Sequence, residues 1–107
     1  MINLNCKIYV AGHNGLVGSA IVRELKRKGY NNILVKSKKE LNLINQSKVL
    51  KFLKKNKPAF IFLAAAKVGG VYSNNKYKAD YLYENLVIQS NVINGAYLSG
   101  VKNLIFL

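Results

Sequence analysis

The sequence predicts an α/β fold in which one doubly wound parallel sheet lies between two layers of helices. Short β-rich runs alternate with segments of helical periodicity, which gives the order β-α-β-α-β-α-β with short links. The apolar run at residues 59–66 is continuous, as expected of a parallel strand that is covered on both faces. Because crossovers in such sheets are right-handed, we expect the strand order 3-2-1-4, with strands numbered along the chain.

The first three elements are a strand, a helix and a strand. Residues 7–11 form a short β-rich run that stops at Gly12. The helix behind it has an apolar stripe at i, i+3, i+4 and i+8, which consists of Val17, Ala20, Ile21 and Leu25. Gly29 ends this helix, and residues 33–35 (Ile-Leu-Val) form the second strand.

A second helix and the apolar third strand follow. Either Asn45 or Ser47 can cap the helix, because both side chains can accept a hydrogen bond from its first turn. Pro58 prevents the helix from extending further. The third strand then covers residues 59–66.

The last part of the chain predicts a long helix and a fourth strand. A loop rich in Gly, Ser and Asn covers residues 69–75, and an amphipathic helix runs from about Asp80 to Ser99. We expect its core-facing side to consist of Leu82, Leu86, Val92, Ile93 and Ala96. Residues 102–107 open another strand, and a domain rarely stops at an open, buried strand. We therefore expect residues 1–107 to form the front of a longer protein whose substrate domain is absent.

The composition limits the class of protein. The 107 residues suffice for one domain, and no apolar run approaches the roughly 20 residues that cross a bilayer. The formal net charge is +13, but the lysines fall at solvent-facing helix positions without interleaved stacking aromatics. The single cysteine, Cys6, excludes an internal disulfide, and we interpret it as a half-buried structural thiol. We expect a cytoplasmic protein that binds neither nucleic acid nor a membrane.

A glycine-rich turn connects the first strand to the first helix. Its spacing is G-x-x-G-x-x-G, and its residues are Gly12, His13, Asn14, Gly15, Leu16, Val17 and Gly18. In such turns the first glycine allows a sharp bend, the second lets the backbone approach a pyrophosphate, and the third lets the helix pack close to the sheet. The first-turn amides and the helix dipole then face the phosphates. The turn predicts an NAD(P)-binding Rossmann fold, and the alternative is a tight strand-to-helix turn without a ligand.

The residues after the second strand indicate which dinucleotide is bound. NAD-binding domains usually carry an Asp or Glu here, hydrogen bonded to the ribose hydroxyls. This chain instead has Lys36, Ser37, Lys38 and Lys39 there, and the first acid after the second strand is Glu40. Cations and a hydroxyl favour a 2′-phosphate, so the segment predicts NADP(H). The alternative is an ordinary basic loop.

Four segments together resemble the GDP-L-fucose synthases, a group of extended short-chain dehydrogenases/reductases. The segments are Ala-Gly-His-Asn-Gly-Leu-Val-Gly-Ser (11–19), Glu-Leu-Asn-Leu (40–43), Ala-Ala-Ala-Lys-Val-Gly-Gly (64–70) and residues 85–93. The resemblance implies an NADPH-dependent enzyme that epimerises C3 and C5 of a GDP-linked keto sugar and then reduces its C4 ketone. Two alternatives remain: another NAD(P)-dependent nucleotide-sugar epimerase or dehydratase, and a non-catalytic nucleotide-binding module.

The resemblance also assigns cofactor contacts to this chain. Gly12 to Gly18 would hold the pyrophosphate, Ala64, Ala65 and Ala66 would line the ribose, and Leu107 would begin the segment under the nicotinamide. The adenosine end would be wrapped by Lys38, Lys39, Glu40, Leu41, Asn42 and Leu43. Relatives often carry Arg where this chain has Asn14, so Lys38 and Lys36 must supply the charge for the 2′-phosphate.

The resemblance assigns no catalytic residue to this chain, because the catalytic Ser and the Tyr-x-x-x-Lys pair would follow Leu107. Tyr72 to Lys76 matches Tyr-x-x-x-Lys in spelling, but we expect the two residues to flank a loop rather than share a helix face. For His13 we expect packing or backbone hydrogen bonding rather than proton transfer. We expect no metal site.

The resemblance further implies a homodimer that forms through the helix at 80–99. Tyr81, Ile88 and Tyr97 could supply the second apolar face that such a contact needs.

Overall fold

The computed structural model describes residues 3–65 and 75–107, apart from the side chains of residues 75–78 and 81. In chain order, the elements of these residues are β1 (Ile8–Ala11), α1 (Leu16–Arg27), β2 (Ile33–Leu34), α2 (Gln46–Asn56), β3 (Phe60–Leu63), α3 (Asn75–Leu98) and β4 (Asn103–Phe106). The strands form one four-stranded sheet in which every neighbouring pair is parallel. The predicted fold class, a parallel sheet with alternating helices, is confirmed.

The strand order is β2-β1-β3-β4, so the expected order 3-2-1-4 is wrong. The expected order would place the third strand beyond β2, at an open edge. There one side of β3 would stay unpaired, whereas in the observed order β1 pairs with all four residues of β3. The apolar β3 therefore gains a full ladder on both sides when it lies between β1 and β4. Crossover handedness alone does not distinguish the two arrangements.

The core lies between one face of the sheet and the helices α2 and α3. Successive strand residues point to opposite faces, and the register aligns Tyr9 with Ile61 and Ala11 with Leu63 on this side. These side chains pack in one cluster with buried residues of both helices, among them Val49, Leu53, Val92 and Ala96. The ring of Tyr9 lies 4.9 Å from that of Phe52, and burial raises the pKa of its phenol. The helix α1 packs against β1, whose remaining residues Ile8 and Val10 are also buried.

The ends of α2 follow from local sequence chemistry. Asn45 is the N-cap, because its side-chain oxygen accepts a hydrogen bond of 3.1 Å from the Lys48 amide. Ser47, the other candidate, donates its hydroxyl to that same oxygen at 3.0 Å. At the other end Lys57 adopts a left-handed conformation with φ 43°, and the buried Pro58 follows.

The apolar faces of α1 and α3 differ from those expected. In α1, Ile21 and Leu25 are half-buried, but Val17 and Ala20 are exposed. The helix α3 begins at Asn75, five residues before the expected start at Asp80. Its buried apolar side chains are Ile88, Val92 and Ala96, whereas Leu82, Leu86 and Ile93 are exposed. Because α3 carries apolar residues on two opposite sides, its periodicity does not identify the side that faces the sheet.

Candidate functional site

A cleft of about 210 Å³ opens at the carboxyl ends of β1 and β3. The chain leaves β1 towards α1 and leaves β3 towards α3, which covers the opposite face of the sheet with α2. Neighbouring strands whose connections diverge in this way form the switch point at which open parallel sheets bind ligands. The cleft is lined by Gly12, His13, Asn14, Gly15, Lys36, Lys38, Leu41, Asn42, Leu43, Ile44, Ala65 and Ile88.

The first and third glycines of the turn are required by packing. Gly12 has φ +88°, and a Cβ there would lie 2.6 Å from the Cα and the amide nitrogen of Ala65. A Cβ on Gly18 would collide with the carbonyl group of Gly12. These two positions therefore bring the turn against the end of β3 and bring α1 against the turn.

The second glycine has a different environment. A Cβ on Gly15 would meet only the Gly12 carbonyl oxygen, at an ordinary contact distance of 3.5 Å. Gly15 has φ −79°, a value that any residue can adopt. The protein itself therefore leaves room for a side chain at this position. The missing side chain instead leaves open space in front of α1, as a ligand close to the backbone would require.

The N-terminus of α1 is an open donor site. Gly15 is the N-cap residue and provides no side-chain cap, and the first turn carries no acidic residue. Helical hydrogen bonding begins with the Ser19 amide, which donates to the Gly15 carbonyl oxygen at 2.9 Å. The amides of Leu16, Val17 and Gly18 precede this bond, and the first amides of any helix lack partners within the helix. Together with the helix dipole they favour an anion at this end.

The basic segment after β2 folds into a turn that is closed by its only acid. Glu40 accepts a hydrogen bond of 2.9 Å from the Ser37 amide, and the Glu40 amide donates to the Ser37 hydroxyl at 3.2 Å. The hydrogen bond from the Ser37 amide lowers the pKa of the Glu40 carboxyl, and the Ser37 side chain and the neighbouring Lys36 and His13 lower it further. The carboxylate thus stabilises the turn, while Lys36 and Lys38 lie at the cleft.

The wall opposite the glycine turn is mostly apolar. It contains the predicted residues Leu41, Asn42 and Leu43, together with Ile44 and Ile88, which sequence reasoning did not assign to the site. Ile88 was expected on the outer face of α3 for a dimer contact, but it is only 8% exposed and reaches the cleft from the core side. Ile44 directly follows the Glu-Leu-Asn-Leu segment, and this position next to predicted site residues could have indicated that it lines the cleft.

Several predicted site residues lie beside the cleft without lining it. Among the predicted residues that the structure describes, these are Leu16, Val17, Gly18, Lys39, Glu40, Ala64 and Leu107. Ala64 donates its amide to the Ala11 carbonyl oxygen at 2.9 Å, and Leu107 donates to the Leu63 carbonyl oxygen at 3.2 Å. Both therefore extend the strand pairing next to the cleft. Ala66 lies outside the described residues.

Three further residues carry side chains that could take part in chemistry. Lys76 was expected beside a loop, but it lies in the first turn of α3. Tyr72 is outside the described residues. Cys6 is half-buried ahead of β1, as expected for a structural thiol.

Across the described residues, no helix combines the length and the apolar character needed to cross a membrane.

A parallel sheet with a glycine turn at its switch point defines the Rossmann class of dinucleotide-binding domains. Residues 8–107 match the model of the NAD dependent epimerase/dehydratase family. The chain belongs to this family.

Individual relatives confirm the resemblance that was inferred from the sequence. A putative GDP-L-fucose synthase 2 of Arabidopsis thaliana is 52% identical over 107 residues, which is 100% of this chain and 33% of the relative. The GDP-L-fucose synthase of Escherichia coli K12 is 42% identical over 101 residues, 94% of this chain and 32% of the relative. The structure of the GDP-mannoheptose C4 reductase MlghC of Campylobacter jejuni, with NADP bound, superimposes with a TM-score of 0.92 at 45% identity, covering 99% of this chain and 33% of that chain. This chain thus spans about a third of the length of these relatives.

The different environments of Gly15 and Gly18 lead to a paired prediction. Gly15→Ala should leave the free energy of unfolding nearly unchanged, because its methyl group has room. The same variant should bind ADP about tenfold or more weakly, because the methyl group would occupy the space of the pyrophosphate. Gly18→Ala should instead destabilise the fold by about 1–3 kcal/mol, since its methyl group collides with the turn. Thermal unfolding and calorimetric titration measure the two effects. Unchanged ADP affinity in Gly15→Ala would contradict the pyrophosphate assignment.

Proposed function

We propose that this chain is the N-terminal, NADP-binding part of a GDP-L-fucose synthase. Such an enzyme converts GDP-4-dehydro-6-deoxy-D-mannose to GDP-L-fucose by 3,5-epimerisation and NADPH-dependent reduction of the 4-keto group. Residues 1–107 then form one NAD(P)-binding domain, and a substrate domain for the GDP-sugar follows it. The observation that carries the proposal is the cleft itself, where the open end of α1 meets Lys36 and Lys38. The choice of a GDP-sugar as the substrate rests on the relatives named GDP-L-fucose synthase.

Each part of the cleft suits one part of the dinucleotide. The free amides at the start of α1 bind the pyrophosphate, with the backbone at Gly15 open to it. Leu41, Leu43 and Ile88 offer apolar surface to the adenosine. Ala65, at the end of β3, lies beside the ribose that follows the pyrophosphate. Bound NADPH supplies the hydride, whereas these residues bind and orient it.

The arrangement of charge around Ser37 supports NADP over NAD. In NAD-binding domains a carboxylate at this place accepts hydrogen bonds from the ribose hydroxyls. Here the one carboxylate of residues 35–45, that of Glu40, accepts a hydrogen bond from the Ser37 amide and helps to form the turn. Lys36 and Lys38 remain at the cleft as cations for a 2′-phosphate. Asn14 is uncharged, and Lys36 and Lys38 are the lysine side chains that line the cleft.

Catalysis is assigned to residues beyond this chain. The described residues offer a binding cleft, and the family's Ser and Tyr-x-x-x-Lys would follow Leu107. The 107 residues therefore bind the cofactor without turning over the GDP-sugar. The lone cysteine supports the further proposal that the protein acts in the cytoplasm.

The phosphate assignment can be tested with the two reduced dinucleotides. The chain should bind NADPH at least about tenfold more tightly than NADH, because only NADPH carries the 2′-phosphate. Lys38→Gln should reduce NADPH affinity towards that of NADH and leave NADH affinity unchanged. Lys54→Gln is the matched control and should leave both affinities unchanged, since it removes the same charge at an exposed position of α2 that does not line the cleft. Equal or tighter NADH binding by the unaltered chain would refute the NADP assignment.

The whole activity can be tested with the parent reading frame. A protein that carries this chain together with the residues that follow it should convert GDP-4-dehydro-6-deoxy-D-mannose to GDP-L-fucose with NADPH, whereas residues 1–107 should show no turnover. Product formation is measured by chromatography of the GDP-sugars. Turnover of another nucleotide sugar alone would favour a different epimerase or dehydratase. Cofactor binding without any turnover by the longer protein would favour a non-catalytic module.

A homodimer through α3 completes the proposal. The side chains of Leu82, Leu86, Ile93 and Tyr97 are exposed, and their spacings of four, seven and four residues place them on one side of the helix. Ile88 and Val92 lie on the opposite, buried side. A second copy of α3 would cover this apolar stripe, as helix pairs do in bundles.

The dimer contact predicts a change of mass in solution. Leu86→Glu should convert a dimer into a monomer, because Leu86 is 53% exposed and a carboxylate in the centre of the stripe would have to be desolvated. Gln46→Glu, at an exposed position of α2, adds the same charge away from the stripe and should leave the dimer intact. Sedimentation velocity measures both variants. A monomeric unaltered chain, or a dimeric Leu86→Glu variant, would contradict the contact.

A further inference from the structure

The apolar wall of the cleft belongs to a long segment without regular structure. Residues 35–45 connect β2 to α2 and contain neither helix nor strand. Their hydrogen bonds to one another are local: the Leu41 amide donates to the Ser37 carbonyl oxygen at 2.9 Å, and the Asn45 amide donates to the Asn42 carbonyl oxygen at 3.0 Å. Such turns shape the segment but do not fix its distance from the glycine turn across the cleft.

One buried side chain of α3 connects this segment to the core. Asn91 is 9% exposed, and its Nδ2 group donates to the Leu43 carbonyl oxygen at 2.8 Å and to the Ile44 carbonyl oxygen at 3.0 Å. The same amide group thus holds two consecutive carbonyl groups that are 48 and 47 residues away in the chain. Asn91 does not line the cleft itself, although both of its partners do.

The neighbours of Asn91 show why an amide is needed there. Ile88 and Val92, on the same side of α3, are apolar and buried, so α3 packs on the sheet without polar contacts at those positions. Two carbonyl groups that turn towards this helix need donors, because unpaired buried carbonyls are costly. Asparagine supplies two donor hydrogens on one planar group.

We infer that Asn91 is a positioning residue for the adenosine end of the cofactor: it holds residues 43 and 44 in the wall that the adenosine contacts. This inference rests on the proposed function, since it assigns the adenosine to that wall. Asn91 contributes no contact to the ligand, and its effect passes through the backbone of Leu43 and Ile44. The pyrophosphate site at α1 lies across the cleft and is independent of it.

The test compares two probes that occupy different parts of the cleft. Asn91→Leu keeps the size of the side chain but removes both donors. It should weaken the binding of 2′,5′-ADP about tenfold or more, while the binding of inorganic pyrophosphate stays within twofold. Asn94→Leu, the same change at an exposed position of α3, is the matched control and should alter neither affinity. Asn91→Gln keeps the donors and should recover part of the 2′,5′-ADP affinity.

A second measurement needs no variant and covers the case in which Asn91→Leu does not fold. In the unaltered chain, 2′,5′-ADP should shift the side-chain amide resonances of Asn91, because the two residues whose carbonyl groups it binds line the cleft that the ligand occupies. Resonances that stay unshifted at saturation would overturn the inference. So would unchanged 2′,5′-ADP affinity in a folded Asn91→Leu variant, or an equal loss for both probes. Failure of the unaltered chain to bind 2′,5′-ADP would overturn the proposed function together with the inference.

Discussion

The close approach of β1 and β3 at their carboxyl ends is the contact on which the rest of the site depends. Gly12 lies so near the backbone of Ala65 that no side chain fits between them. This approach lets the chain turn sharply out of β1, and Gly18 then lets α1 start directly against the turn. The start of α1 therefore faces the gap between two strands whose connections diverge. The cleft results from backbone packing, and lysines and apolar residues line it.

The sequence specified the local features of this arrangement well. The glycine spacing, the β-rich runs and the Gly and Pro punctuation depend on chemistry within a few residues, and the strands and helices occur close to the predicted places. The resemblance to GDP-L-fucose synthases rested on four short segments, and it was confirmed. Most predicted cleft residues also follow a strand end directly, so their position could be inferred without knowledge of distant contacts.

What the sequence did not specify depends on contacts between distant segments. Between β1 and β4 the third strand is paired on both sides, which a strand count does not reveal. The orientation of α3 was ambiguous, since Ile88 and Leu86 are equally apolar although one is buried and the other exposed. Asn91 was missed because nothing in its local sequence points to carbonyl groups more than 40 residues away.

The three glycines of the turn are also under different evolutionary constraints, some from folding and one from ligand binding. Gly12 and Gly18 are required by the fold, so any descendant of this chain that still folds this way must retain them. The fold leaves room for a side chain at Gly15, so under the proposed function only use of the nucleotide would preserve this glycine. A lineage that kept this domain as a scaffold and lost the cofactor could therefore change residue 15 first. That single position would record the loss of ligand binding in a gene whose product still folds.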